Sequence, residues 1–135
     1  MIKDLAKKTE IVRDWEAVKK LCAGSHRQYQ SSRGYINETP PESFYNLPLV
    51  LAYCALDGVL IKLRDQGEFR CTGDFLGDRM KSSKKILPWY NYKLVSAGRI
   101  ARNALAHKAK LVPKKECLIF INAIENELRA WGIIG

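Results

Sequence analysis

The chain has 135 residues, and 23 lysine and arginine residues against 14 aspartate and glutamate residues give it a formal net charge of +9. This length is typical of a single domain, and it suffices to bury a hydrophobic core without disulfides or a structural metal. The positive charge favours a polyanionic partner, with RNA or DNA ahead of an anionic membrane.

The cysteine and histidine content argues against a metal centre or a disulfide framework. The four cysteines contain no C-x-x-C pair, and only His26 and His107 are available as histidine ligands. Zinc sites and disulfide scaffolds need closer spacing or more ligands. We therefore expect no metal and no cofactor. The charged, amphipathic start of the chain does not have the pattern of a signal peptide, which favours a cytoplasmic protein.

The first helix is predicted over residues 2–22, where apolar side chains recur at three- or four-residue steps. Residues 23–43 then contain two glycines and two prolines, and they show neither an apolar period nor a hairpin signal. We expect a long loop there. Because such long loops are uncommon inside a compact domain, this one should be either mobile or functional.

The second helix is predicted over about residues 44–66, with a start nearer Asn46 because Pro48 suits the first turn of a helix. Residues 47–56 are uncharged and apolar on all sides, which indicates a helix that is buried on most faces. A membrane span is not expected, because the uncharged run is too short and Asp57 interrupts it.

The second half of the chain predicts one short and two long helices. Residues 72–81 can form a short helix capped by Thr72. A long helix follows Pro88 over residues 89–110. Its expected inward side chains are Tyr92, Val95, Ala101 and Leu105.

The last helix is predicted to start at Pro113, which is favoured in a first helical turn, and to continue to Trp131 before Gly132. Residues 1–135 are thus expected to form one domain. Its fold class is all-α, a bundle of four to five helices.

A polar strip lies near the end of the helix predicted over residues 89–110. Because side chains four residues apart lie on the same face of a helix, Arg99, Asn103 and His107 form a line, with Arg102 beside it. Two lysines, Lys108 and Lys110, follow directly. We expect Arg99 and these lysines to contact an RNA backbone.

These residue types can cleave RNA without a metal. His107 can exchange a proton with a ribose 2′-OH or with the leaving 5′ oxygen. Arg102 can hold the phosphate with two hydrogen bonds and neutralise the charge that builds in the transition state. Asn103 can orient either the histidine or the phosphate. One histidine cannot easily act as both acid and base, whereas two copies across a dimer interface can.

A second interpretation of the same strip requires no chemistry. A histidine near a helix C-terminus is stabilised by the helix dipole, and arginine and asparagine are common on solvated helix faces. Both interpretations remain open at this point.

The pattern around the strip resembles the HEPN superfamily. The likeness lies in the spacing Arg102-x4-His107 with a polar residue after the arginine, in the following Leu111-Val-Pro-Lys-Lys-Glu, and in a final helix that closes on Ala130-Trp131-Gly-Ile-Ile. The segment Leu51-Ala-Tyr-Cys-Ala-Leu-Asp-Gly-Val-Leu is similar to the family's second helix. The likeness covers about residues 44–134 and is tight over 99–134.

This resemblance implies a helical bundle that dimerises, with the motif helices of both subunits lining one cleft. Active members are metal-independent endoribonucleases, often toxins or defence effectors, and their products carry a 2′,3′-cyclic phosphate. The family's catalytic pair corresponds to Arg102 and His107, with Asn103 at the polar position. An antitoxin protein would then be a further partner. The alternative is a non-catalytic HEPN-like module that binds RNA, a nucleotide or a protein.

Overall fold

The computed structural model describes residues 1–23, 27–31, 34–38 and 40–135. Within this part of the chain, five α-helices form a bundle and two short strands form a hairpin. In chain order the elements are α1 (Leu5–Ala23), β1 (Arg27–Ser31), β2 (Gly34–Glu38), α2 (Asn46–Asp65), α3 (Leu76–Ser83), α4 (Tyr92–Lys108) and α5 (Lys114–Ala130). The predicted all-α bundle of four to five helices is confirmed.

The segment 23–43 is not the plain loop that the sequence predicted. Its strands β1 and β2 pair in antiparallel register, with Arg27 opposite Glu38 and Ser31 opposite Gly34. Gly34 has a φ of 114°, which a glycine adopts without strain. The prediction missed the hairpin because neither strand alternates apolar with polar residues, which is the usual signal of a strand.

Helix α2 is the central helix of the bundle, and it packs against all four other helices. Its predicted start near Asn46 is confirmed, and a short 3-10 turn, Glu42–Tyr45, precedes it. By length and composition alone, the segment Glu42–Asp65 would also be apolar enough to cross a membrane. Here about half of the segment is instead buried inside the bundle, and Leu56 and Leu60 are among its side chains in the core.

An ion pair fixes the short helix α3 against α2. The guanidinium of Arg79 donates from Nε and Nη2 to the two carboxylate oxygens of Asp57, the second bond at 2.9 Å. This hydrogen bonding raises the pKa of Arg79 above its usual range. Because bidentate pairs fix direction as well as distance, the pair sets the orientation of α3.

Helix α3 starts later than the sequence predicted. Thr72 is not its cap; the helix begins after Phe75, whose backbone N–H donates to the Asp78 carboxylate at 3.3 Å. A carboxylate at this position satisfies one free N–H and lies favourably near the positive end of the helix dipole. Aspartate at the third helical position therefore determines the start.

Helix α4 begins at Tyr92, not at Trp89, because two groups cap it there. The side chain of Asn91 accepts from the backbone N–H of Leu94 at 3.2 Å. The carboxylate of Glu127, which is fully buried in α5, accepts from the backbone N–H groups of Tyr90 and Asn91. Of the four inward residues predicted for this helix, Val95 alone is fully buried.

Gly98 allows α4 to cross closely over α2 and α5. A Cβ atom at this position would lie 2.7 Å from the ring of Phe120 and would overlap the hydroxyl of Tyr53. That hydroxyl donates to the carbonyl of Val95 at 2.7 Å, so it cannot move without losing a buried hydrogen bond. The crossing therefore depends on a residue without a side chain.

We expect Gly98→Ala to lower the free energy of unfolding by roughly 1–3 kcal/mol, since overpacking outweighs the better helix propensity of alanine. Denaturant unfolding measures this. Gly58→Ala in α2 is the matched control, because a Cβ there meets nothing within 4 Å. It should be neutral or stabilise by up to about 1 kcal/mol. Equal stability of the two variants would contradict the close crossing.

Candidate functional site

A cleft of about 350 Å³ lies between the start of α3 and the C-terminal half of α4. Its lining residues are Phe75, Leu76, Gly77, Asp78 and Lys81 from the α3 side and Arg99, Arg102, Asn103 and His107 from α4. Four of the six residues singled out in the sequence therefore share one cleft. Its volume is within the range of about 300–1,000 Å³ that is usual for ligand pockets.

The other two predicted contacts lie outside the cleft. Lys108 ends α4, Lys110 follows it, and both are exposed beside the end of the helix. They extend the positive surface beyond His107. Neither of them lines the cleft.

Asn103 orients a guanidinium. Its side-chain oxygen accepts a hydrogen bond from Nη2 of Arg102 at 3.0 Å. The sequence had suggested that this amide orients the histidine or the phosphate. In the described part of the chain, the amide instead restricts the group that would hold a phosphate.

Most of the donors on the two arginines remain available. Arg99 and Arg102 form no ion pair with any carboxylate of the described residues. Their Nε atoms are buried and have no hydrogen-bond partner among those residues. Because each guanidinium also carries four N–H donors on its two terminal nitrogens, an anion in the cleft would find several of these unused.

The electrostatic balance of the cleft is positive. The one carboxylate in its lining is that of Asp78, which accepts from the N–H of Phe75. Lys81 adds a further cation from α3, and the backbone N–H groups of Leu76 and Gly77 have no acceptor in the described part of the chain. The first N–H groups of a helix attract anions, so both walls favour a negatively charged ligand.

Tyr53 is close to this site but is not suited to proton transfer. Burial raises the pKa of its phenol well above the usual range and outweighs the positive charges of Arg102 and Arg99, which act in the opposite direction. The phenol is thus neutral and donates to the carbonyl of Val95. His107 is the one histidine in the cleft lining, and the chain's other histidine, His26, lies outside the described residues.

The end of α4 is anchored by a buried asparagine that the sequence analysis did not single out. The side chain of Asn46 accepts from the backbone N–H of Val112 at 2.9 Å and donates to its carbonyl at 3.0 Å. Ala109 ends the helix in the left-handed conformation, with a φ of 51°. These contacts hold the segment that follows His107 against the start of α2. A lone asparagine in a helix start gives no sequence signal for a partner 66 residues away.

In the described residues, no cluster of three or more His, Cys, Asp or Glu side chains is placed to hold a metal ion. Comparison of the chain with protein-family models, curated proteins and solved structures finds no match. The geometry of the cleft is therefore the basis for a functional proposal.

Proposed function

We propose that this protein is a metal-independent endoribonuclease of the HEPN type. The observation that carries the proposal is the shared cleft, in which Arg99, Arg102, Asn103 and His107 lie together and the guanidinium groups have no carboxylate partner. A phosphodiester has the charge and the acceptor atoms that such a cleft can bind. A neighbouring imidazole can supply proton transfer.

In the proposed reaction, His107 of one copy removes the proton from a ribose 2′-OH. The 2′ oxygen attacks the adjacent phosphorus, and the bond between phosphorus and the 5′ oxygen breaks. The protonated His107 of a second copy gives its proton to that leaving oxygen. The products are a 2′,3′-cyclic phosphate and a 5′-hydroxyl. Arg102, oriented by Asn103, stabilises the charge on the non-bridging oxygens.

A second copy is part of the proposal because each chain brings one imidazole to the cleft. The outer face of α4 carries the small residues Ser96 and Ala97 and the apolar side chain of Ile100, which is 59% exposed. Small residues permit close approach of two helices, so this face suits pairing of two α4 helices. If the C-terminal halves of the two α4 helices meet in this pairing, the two His107 side chains come to one substrate.

Incubation of the purified protein with single-stranded RNA in EDTA tests the proposal. We expect cleavage that is unaffected by the chelator and products that end in a 2′,3′-cyclic phosphate and a 5′-hydroxyl. Cleavage that requires an added divalent metal, or products with a 5′-phosphate, would contradict it.

The second candidate function is a HEPN-like module that binds RNA, a nucleotide or a protein without cleavage. The single imidazole in the described lining of the cleft favours this alternative for a protein that stays monomeric. It predicts RNA binding that weakens steeply with salt and forms no product. A role as a toxin or defence effector, an antitoxin partner and a cytoplasmic location stay predictions from the sequence.

Gly77 provides a test that separates the cleft from the fold. A Cβ at this position would lie 2.9 Å from a terminal nitrogen of Arg99, so Gly77→Ala must displace that guanidinium. We expect RNA binding to weaken by about 10- to 150-fold, the loss that corresponds to the roughly 1.5–3 kcal/mol of one hydrogen bond to a charged group. The thermal midpoint should not fall, because a flexible side chain can move. Gly58→Ala is the control. Full RNA affinity in Gly77→Ala would contradict a phosphate contact by Arg99.

A further inference from the structure

The lip of the cleft carries an aromatic ring that does not belong to the hydrophobic core of the described residues. Phe75 lines the cleft and is 76% exposed. Its backbone, not its ring, takes part in the start of α3, through the N–H that donates to Asp78. Exposing so much of a phenylalanine ring loses the burial that usually stabilises this side chain.

The position of the ring relative to the cations suggests what it contacts. Phe75 forms one side of a cleft whose other side presents Arg99 and Arg102. An anionic group with an attached flat, apolar face would satisfy both sides at once, and a nucleotide is such a ligand. Single-stranded nucleic acids are bound in this way, with cations along the backbone and aromatic side chains under the bases.

We propose that Phe75 stacks on an unpaired nucleobase next to the phosphate held by Arg99 and Arg102, and so makes single-stranded RNA the preferred substrate. The inference rests on the proposed function for its choice of ligand. A base within a duplex is already stacked and paired, so the ring gains nothing from it. Phe75 would act as a positioning residue that determines which strand form enters the cleft.

The test uses 2′-O-methyl oligonucleotides, which lack the attacking hydroxyl and report binding without cleavage. Dissociation constants are measured for a single strand, for the same sugar–phosphate length made of abasic residues, and for a duplex. We expect Phe75→Ala to weaken binding of the single strand by about 5- to 100-fold, the usual loss for one base–aromatic stack. Binding of the abasic strand and of the duplex should change by less than about 2-fold.

Three further variants define the contact. Phe75→Trp should retain the affinity for the single strand, whereas Phe75→Leu should lose most of it. Leu5→Ala is the matched control, because Leu5 is also 76% exposed but lies on α1, outside the cleft. It should bind as the parent does. Thermal unfolding confirms that each variant is folded. We expect no fall in the thermal midpoint, because the ring of Phe75 is largely exposed.

Equal affinity of the parent and Phe75→Ala for the single strand overturns the inference. The exposed ring would then serve for contact with a protein. Full affinity in Phe75→Leu also overturns it, because the contact would then be merely apolar. Absence of binding, or equal binding of base-bearing and abasic strands by the parent, does the same. Because these ligands cannot be cleaved, base-dependent binding can hold even if the nuclease activity is absent.

Discussion

Loss of the imidazole in His107→Ala is expected to lower the rate of RNA cleavage by about 10²–10⁴-fold, the usual contribution of a positioned acid or base. In a dimer that shares one cleft, the variant removes both the base and the acid, so the loss should lie toward the upper end. Because His107 is exposed at the last turn of α4, the folded state should be unaffected. Single-turnover cleavage in EDTA measures the rate, and thermal unfolding checks the fold.

Arg102→Ala is expected to lower the same rate by about 10²–10³-fold, because it removes a preorganised donor to the developing charge. Arg102→Lys should restore little of the rate, since an ammonium lacks the planar fork that Asn103 holds.

Lys108→Ala is the control for both variants: it removes an exposed cation next to the motif but outside the cleft. It should change mainly the salt dependence of binding. A rate in His107→Ala equal to that in Lys108→Ala would exclude this cleft as the catalytic site.

Glu127→Ala should produce the largest loss of stability that we expect from a single substitution in the described residues. Its fully buried carboxylate accepts from the N–H groups of Tyr90 and Asn91 and thereby caps α4 from the neighbouring helix. Alanine leaves the N–H groups of Tyr90 and Asn91 without their acceptor and opens a cavity where the buried carboxylate was. We expect the free energy of unfolding to fall by about 3–5 kcal/mol, since each hydrogen bond to a charged group contributes about 1.5–3 kcal/mol.

Two variants control this measurement in denaturant unfolding. Glu127→Gln keeps the shape and one acceptor, so about half of the loss should remain. Glu125→Ala removes a nearby carboxylate of α5 whose partners, Lys19 and Arg129, are about half exposed. Glu125 is itself only 6% exposed, but both partners reach solvent, so that change should lower stability by about 1–2 kcal/mol, less than Glu127→Ala. Similar losses in Glu125→Ala and Glu127→Ala would contradict a special role for the cap.

The helices that the sequence predicted well are those with a strong apolar pattern. Helix α2 buries nine of its side chains, although Leu47, Leu51 and Cys54 within the predicted apolar run are exposed, and α5 ends before Gly132, which has a φ of 68°. One error, the start of α4, arose where a long-range polar contact decides the structure. The start of α4 depends on Glu127 in a helix much further along the chain. Periodicity cannot reveal such a partner.

In the candidate site, too, one part could be predicted from the sequence and another part could not. The line of Arg99, Asn103 and His107 follows from helix geometry alone, and the structure brings these side chains into one cleft with Arg102. The opposite wall could not be predicted, because the approach of α3 depends on the ion pair of Asp57 and Arg79. That wall supplies Gly77, Lys81 and Phe75. Gly77 precedes Asp78, the third residue of α3. A glycine at this position was the one available sequence signal that another group, here the side chain of Arg99, comes close to the α3 backbone.

The chemistry of the cut strand tests the central claim most directly. The substrate is a pool of DNA oligonucleotides that each contain one ribose flanked by random deoxynucleotides, incubated with the protein in EDTA. Mass spectrometry then identifies the new ends. We predict cleavage only on the 3′ side of the ribose, with a 2′,3′-cyclic phosphate, and none by His107→Ala. Cleavage at deoxynucleotides, or an intact pool under conditions in which the protein binds it, would contradict an RNA-cutting role for this cleft.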